Sequence, residues 1–216
     1  MQASIEAALV TALSDDEHRR AGNFRLTSKR REFVAGRAVV RMLLGHYRGV
    51  PAKDVPLVQT THGKPSLPTG HALDFNLAHT DGLLLVAVSG GVQVGIDVER
   101  IRPMESTVHI AARFFSESER ASMDEGPAGF LRSWTRRESV VKAHGTGISA
   151  GWESIRIEDR GHDEADAVGL GRDCHVRSFT PAPGYIAAVA ALTPDFHIRQ
   201  TRTLDASDLD NLWSRQ

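Results

Sequence analysis

Apolar and polar positions along this chain follow two rhythms, one of period near 3.6 and one of period 2, and they come twice in the same order. Ser14 followed three residues later by Glu17 is a capping box and predicts a short helix. In LTSKRREFVAGRAVVRMLLGHYRG, Phe33, Gly36, Val40, Leu43, Leu44 and Tyr47 recur at helical spacing until Gly49 and Pro51 stop the pattern. The spacing predicts a helix from Ser28 to Tyr47. Four strand-like runs follow, at 55–61, 72–79, 82–89 and 92–99, with Gly90-Gly91 read as a tight hairpin turn between the last two.

The second half opens with helical STVHIAARFF and a second capping box, Ser116 with Glu119. Gly126-Pro127 opens a longer helix that Gly145 ends. Strand-like runs return at 153–159, 174–179, 185–192 and 197–204, and residues 205–215 predict a last short helix. The polar, glycine-bearing segment 161–173 reads as a loop. Helices grouped ahead of runs of antiparallel strands argue for an α+β fold rather than a doubly wound sheet, with a boundary near Arg100 to Glu105.

Composition changes this picture little. Of 216 residues, 41% are hydrophobic and 25% charged, and the formal net charge is −1, so no global attraction to nucleic acid or membrane is evident. The single cysteine, Cys174, excludes an internal disulfide and a zinc site built on several cysteines. No apolar run approaches the roughly 18 residues that a membrane span needs. The N-terminal apolar stretch has no basic residues before it and fails as a secretory signal, so a cytoplasmic protein is expected.

Candidate chemistry begins at GIDVERIRP, 95–103. Asp97 and Glu99 lie two apart on a strand and project to one face, while Ile96 and Val98 point the other way into a core. Two acids at the end of a core strand are placed to hold a hard cation through oxygen. A lone pair of this kind is as often a solvated edge. In SWTRRESVVKAHGTG, Trp134, Glu138 and Lys142 share one helix face with Val141 close by. An exposed Glu138–Lys142 pair would be ordinary, but a face that carries Trp134 and Val141 turns inward, and an acid and a lysine there need partners. Lys64, between glycine and proline in THGKPSLP, can point at a phosphate. Asn76 and His79 close the strand DFNLAHT, and Lys29, Arg30, Arg31, Arg37 and Arg41 stud the long first helix. For most of those five a solvated helix face is the plain reading.

Taken in order, GKP, FN-x-x-H, GIDVE, RFFS-x-x-E and W-x-x-x-E-S-x-x-K resemble the 4'-phosphopantetheinyl transferases, in the long two-lobed form that activates nonribosomal peptide and polyketide synthases. The resemblance runs from Arg31 to Gly147. It implies a pseudo-dimer of two similar α+β lobes, residues 1–102 and 103–216, with coenzyme A between them, acting as a monomer. It also implies the reaction: the phosphopantetheine arm of coenzyme A moves to a serine of an apo acyl or peptidyl carrier protein, and adenosine 3',5'-bisphosphate leaves. By the motifs, Asp97, Glu99 and Glu138 would ligate Mg²⁺, with Mn²⁺ an alternative. Glu138 or a metal-bound water would be the base, and Lys142 would stabilise the transferring phosphoryl group. Lys64 and His79 resemble the family's phosphate contacts, and Arg31 and Arg37 those that hold the adenosine end.

One position departs from the pattern: the family's usual lysine before the glutamate is Arg137 here, which keeps the charge but changes the geometry. Trp134 reads as packing, and Phe114 and Phe115 serve either the core or a carrier-docking surface. Two rivals remain at this stage. A metal-dependent nuclease would also use spaced acids and a basic residue, but the near-neutral chain lacks a basic patch interleaved with aromatics. A non-catalytic binder of coenzyme A or carrier proteins would not need all three acids together with Lys142.

Overall fold

In the computed structural model, the structure describes residue 7 and residues 9–60, 63–104, 107–123, 126–147, 152–199 and 201. It is an α+β protein in which every strand pairing is antiparallel. Packing gathers the chain into two compact units, one holding the described residues up to Pro56 and those from Ile198 on, the other Leu57–His197.

The first unit is helical. Helix α1, Asp15–Gly22, begins at the expected capping box: Ser14 and Glu17 satisfy each other's backbone amides. Helix α2 spans Thr27–Arg48 and ends at Gly49, whose φ of 65° is the left-handed C-cap that glycine adopts freely. Its buried side runs through Gly36, Ala38, Val40, Met42 and Leu44, whereas Tyr47, expected on that stripe, is 57% exposed. Arg41 is buried and stands apart from the solvated face expected of most of the five basic residues. Its Nε donates to Glu17 Oε2 at 2.5 Å, and Nη1 donates to the carbonyls of Ala52, Lys53 and Val55 at 2.9–3.1 Å. The guanidinium fork thus clamps α1 and the turn Ala52–Asp54 to α2.

The second unit opens with two short paired strands, β1 (Val58–Gln59) and β2 (Pro65–Ser66). A hairpin follows, β3 (Leu73–Thr80) with β4 (Leu83–Gly90), and then β5 (Val94–Arg100). Strand β5 pairs with β9 (Tyr185–Ala191), not with β4, so the expected Gly90-Gly91 hairpin does not form. On its free edge the amides of Val94 and Ile96 donate to side chains of β3, Asp74 Oδ2 at 2.7 Å and Asn76 Oδ1 at 2.9 Å. Side-chain oxygens supply what a neighbouring backbone would have given.

Helices α3 (Thr107–Phe114), α4 (Glu117–Ser122) and α5 (Pro127–His144) precede strands β6 (Arg156–Asp159), β7 (Glu164–Val168), β8 (Cys174–Phe179) and β9. The five-stranded sheet runs β5-β9-β8-β7-β6. Ser116 and Glu119 cap α4 as expected, and Gly145 ends α5. Strand β7 lies inside the segment read as a loop. It alternates in period 2, but its inward residues are Ala165 and Ala167, too small to signal a strand. No strand forms at 197–199 or 201; the other residues of that predicted strand, and the predicted last helix at 205–215, lie outside the described residues. Strand β5 precedes the expected lobe boundary at 102/103, yet it hydrogen-bonds to β9 along its whole length.

The sheet is covered on both faces, which is why β9 reads as the continuous apolar run IAAVAA. One face packs Ala188, Ala190, Val176 and Ala167 against Val140, Val141 and Ala143 of α5. The other packs Ile96, Val98, Ala187 and Val189 against the β3–β4 hairpin. Cys174 is buried in the first cluster, and burial pushes its thiol up to about 12, so it is an unreactive packing residue. Among the described residues no helix is long and apolar enough to cross a membrane.

Gly95 lets α5 reach the sheet. A Cβ there would meet Ser139 O at 2.0 Å and Ala143 N at 2.4 Å, both backbone atoms that cannot swing aside. Gly95→Ala is therefore expected to lower unfolding free energy by about 3 kcal/mol, read from the urea midpoint at constant slope.

Candidate active site

Alternation along β5 does what the sequence reading expected. Ile96 and Val98 face the hairpin, and Gly95, Asp97 and Glu99 lie on the opposite face, which α5 covers. Asp97 is 6% exposed and Glu138 7% exposed, and Glu99 is half-buried. Lys142 Nζ donates to Asp97 Oδ1 at 2.6 Å, and its side chain keeps 30% exposure. The inward turn of the Trp134–Glu138–Lys142 face is thus observed.

The charges of these groups are coupled. Burial pushes Asp97 above the usual carboxylate range, with Lys142 pulling the other way. Burial likewise raises Glu99, and the charge of Asp97 adds to it, while Arg102, Lys142 and a hydrogen bond from Thr80 oppose it. Glu138 is raised by burial first, lowered by Lys142, and raised again by Asp97 and Glu99. All three acids are raised by burial, Glu99 also by the charge of Asp97 and Glu138 by those of Asp97 and Glu99, and the ammonium of Lys142 opposes the shift at each.

Does this set suit a hard cation? Asp97 Oδ2 is buried with no hydrogen-bond partner, an arrangement that costs free energy unless something charged or donating meets it. The donors are carboxylate oxygens, the kind that magnesium and manganese take. As the side chains stand, no three His, Cys, Asp or Glu groups among the described residues form a closed cluster, and Lys142 occupies Asp97 Oδ1 instead. The donor chemistry fits; the lysine now neutralises the acid it touches.

The other expected residues fall in different places. Lys64 Nζ donates to the carbonyls of Val94 at 3.1 Å and Lys142 at 3.0 Å, and lies 3.7 Å from Asp74 Oδ2. His79 is exposed at the end of β3, one residue before Thr80 and so on the opposite face of the strand from the hydroxyl that bonds Glu99. Arg31 and Arg37 lie on α2 in the first unit. Arg31 is exposed, while Arg37 pairs with Glu17 Oε1 at 3.8 Å and sits over the Phe33 ring. Burial lowers the Arg37 pKa, against the pull of Glu17.

Arg137, the departure from the family pattern, is 2% exposed and points away from solvent. Its Nη2 reaches both carboxylate oxygens of Glu119 at 2.5 Å, Nη1 donates to Trp152 O at 2.7 Å, and the guanidinium lies over the Phe115 ring. It is a buried tie between α4, α5 and the turn at Trp152–Ser154. Trp134 packs against Phe130 and Trp152, as its packing reading required. Phe115 is 5% exposed against Phe130, and Phe114 meets Trp152 edge-on, so both serve the core. A cleft of about 250 Å³ on the far side of α5 is lined by Gly129, Arg132, Ser133, Arg136, Asp159, Gly161 and His162. Its Arg136 is tied to Asp159, Ser178 and the His162 carbonyl, and none of the acids reaches it.

Sequence reasoning missed Thr80 and Asp74. A threonine at a strand end and an aspartate inside a strand carry no signal until the facing strand is known.

Two family models match the chain. One, described as 4'-phosphopantetheinyl transferase superfamily, covers residues 93–190, and the other, described as 4'-phosphopantetheinyl transferase, N-terminal, covers residues 2–90. The 4'-phosphopantetheinyl transferase HetI of Nostoc sp. is 41% identical over 157 residues, 69% of this chain and 66% of that protein. A 4'-phosphopantetheinyl transferase of Bacillus subtilis is 26% identical over 203 residues, 91% of this chain and 89% of that protein. The 4'-phosphopantetheinyl transferase Sfp of Bacillus subtilis (strain 168) is 28% identical over 170 residues, 76% of this chain and 75% of that protein.

The raised acids give a signed pH prediction. A carboxyl whose folded pKa lies above its unfolded value binds protons more tightly when folded. Its contribution to stability is present at acid pH and is lost as pH rises from the ordinary carboxylate range through the raised value. Glu138→Gln removes one such group, so with EDTA present the variant is expected to melt higher than wild type at neutral pH. The gap should close as pH falls through the carboxylate range. Differential scanning fluorimetry across pH measures it, and a variant melting lower at neutral pH would contradict the account.

Proposed function

The chain belongs to the 4'-phosphopantetheinyl transferase superfamily, and on that premise we propose that it moves the phosphopantetheine arm of coenzyme A onto a serine of an apo acyl or peptidyl carrier protein. What supports this reading is the ion pair of Lys142 with Asp97, the charge coupling of Glu99 and Glu138 to both, and one buried carboxylate oxygen of Asp97 that lacks a partner.

In this reading Asp97, Glu99 and Glu138 hold Mg²⁺, or Mn²⁺ in its place. The bound ion supplies charge neutralisation on the pyrophosphate. The carrier serine Oγ attacks the phosphorus that bears the pantetheine arm. A new P–O bond forms, the bond to the bridging pyrophosphate oxygen breaks, and adenosine 3',5'-bisphosphate leaves with the electron pair. Glu138, or a water held at the site, would take the serine proton as the new bond forms. Lys142, partly exposed beside Asp97, meets the charge that develops on the phosphoryl oxygens.

Arg31, Arg37 and His79 stay proposed contacts for the adenosine and phosphate end. Arginine suits phosphate because its fork binds two oxygens at once. The lobes are residues 1–102, which carry the acid pair on β5, and 103–216, which carry Glu138 and Lys142 on α5. A monomer acting in the cytoplasm completes the proposal.

Intact-mass spectrometry tests it directly. Apo carrier proteins from fatty acid and from peptide synthesis, incubated with the protein, coenzyme A and Mg²⁺, should gain one phosphopantetheine each or selectively, and EDTA should prevent the gain. Glu138→Gln and Lys142→Met should each lower the rate by roughly 10²- to 10³-fold. Coenzyme A binding without any mass gain would favour a non-catalytic binder instead.

A further inference from the structure

The family pattern gives Lys64 to a phosphate of coenzyme A, but its ammonium already has three oxygen neighbours. Nζ donates to Val94 O at 3.1 Å and to Lys142 O at 3.0 Å, with Asp74 Oδ2 at 3.7 Å. An ammonium has three donors, so this arrangement leaves little for a ligand. The side chain is 14% exposed. Its backbone is equally fixed: Lys64 N–H donates to Thr60 Oγ1 at 3.1 Å, and Lys64 O accepts from Thr60 N at 2.9 Å.

The two carbonyls are the informative part. Val94 is the first residue of β5, and Lys142 O belongs to the last turn of α5, where carbonyls lack helical partners and attract cations. Three residues beyond Val94 stands Asp97, and the side chain that bonds Asp97 is that of Lys142 itself. Val94 is gripped from both backbone groups, since its N–H donates to Asp74 and its C=O accepts from Lys64. One ammonium thus joins the strand that carries the acids to the helix residue that answers them.

We propose that Lys64 is a positioning residue for the transfer site, fixing the register of β5 against α5 so that Lys142 meets Asp97, and that it is not a ligand of coenzyme A. The proposal rests on the transferase reading. To serve a phosphate, Lys64 would have to give up both carbonyls, and α5 would lose its tie to the start of β5.

Lys64→Met and Asp74→Asn, made in the full chain, decide it. Three quantities are measured beside wild type: Kd for coenzyme A by calorimetry, kcat at saturating coenzyme A and carrier well below the melting transition, and Tm. For Lys64→Met, kcat should fall by roughly tenfold or more, because small misplacements at a reacting centre are costly, and Kd should stay within about twofold. A Kd raised tenfold or more with kcat kept would overturn the proposal. So would a lowered Tm with kcat and Kd both unchanged, which would show packing alone.

Asp74→Asn covers the case in which Lys64→Met does not fold. It weakens the grip on Val94, so kcat should fall with Kd unchanged. If Lys64 instead served coenzyme A, removing its carboxylate neighbour would release it and tighten binding, and that result would overturn the proposal. Wild type that binds coenzyme A but transfers nothing would refute the transferase reading itself, while the Kd values of the variants would still decide whether Lys64 is a ligand.

Discussion

At Gly95 a strand and a helix touch backbone to backbone, and the acidic site depends on that contact. The backbone of Ser139, Lys142 and Ala143 occupies the space a side chain would need. Two residues further along the same face of β5, Asp97 therefore lies within hydrogen-bond reach of Lys142. Neighbouring β9 helps, because Ala188 and Ala190 are opposite Asp97 and Gly95 and leave the helix room. A larger residue at any of these points would lift α5 off the sheet, and an ammonium on a four-carbon stem cannot follow an acid across a wide gap.

Such closeness has a thermodynamic consequence. Removing carboxylates from water is unfavourable, and here the acids are both buried and mutually repelling. The alternating apolar residues beneath, Ile96 and Val98 packed on Val189 and Ala187, hold β5 in place against that cost. A strand divided in this way has one face that stabilises the fold and one face whose buried acids cost it stability.

Much of the fold was legible because its signals are local. A capping box needs only a hydroxyl and a glutamate three apart, and both Ser14–Glu17 and Ser116–Glu119 formed. The face shared by Asp97 and Glu99 follows from the two-residue period, and the face shared by Glu138 and Lys142 from the four-residue one. Strand β7 escaped because its core residues are alanines, whose burial comes from the sheet around them rather than from their own apolarity. Arg41, Lys64 and Arg137 escaped for a different reason. Each is a long cation whose partners lie 10 to 78 residues away, on carbonyls and carboxylates that a linear pattern cannot pair. A buried cation and a solvated one look alike in sequence until the acceptors are placed.

The side chains that β3 lends to β5 also bear on the open edge of the sheet. A sheet that ends in an open strand offers its free amides and carbonyls to any other extended chain, the usual beginning of edge-to-edge association. On β5 the amides of Val94 and Ile96 already donate to Asp74 and Asn76, and the carbonyl of Val94 accepts from Lys64. The strand that presents the acids is therefore closed to strand addition along its length nearest the core. Its first half thus gives little template to a neighbouring polypeptide.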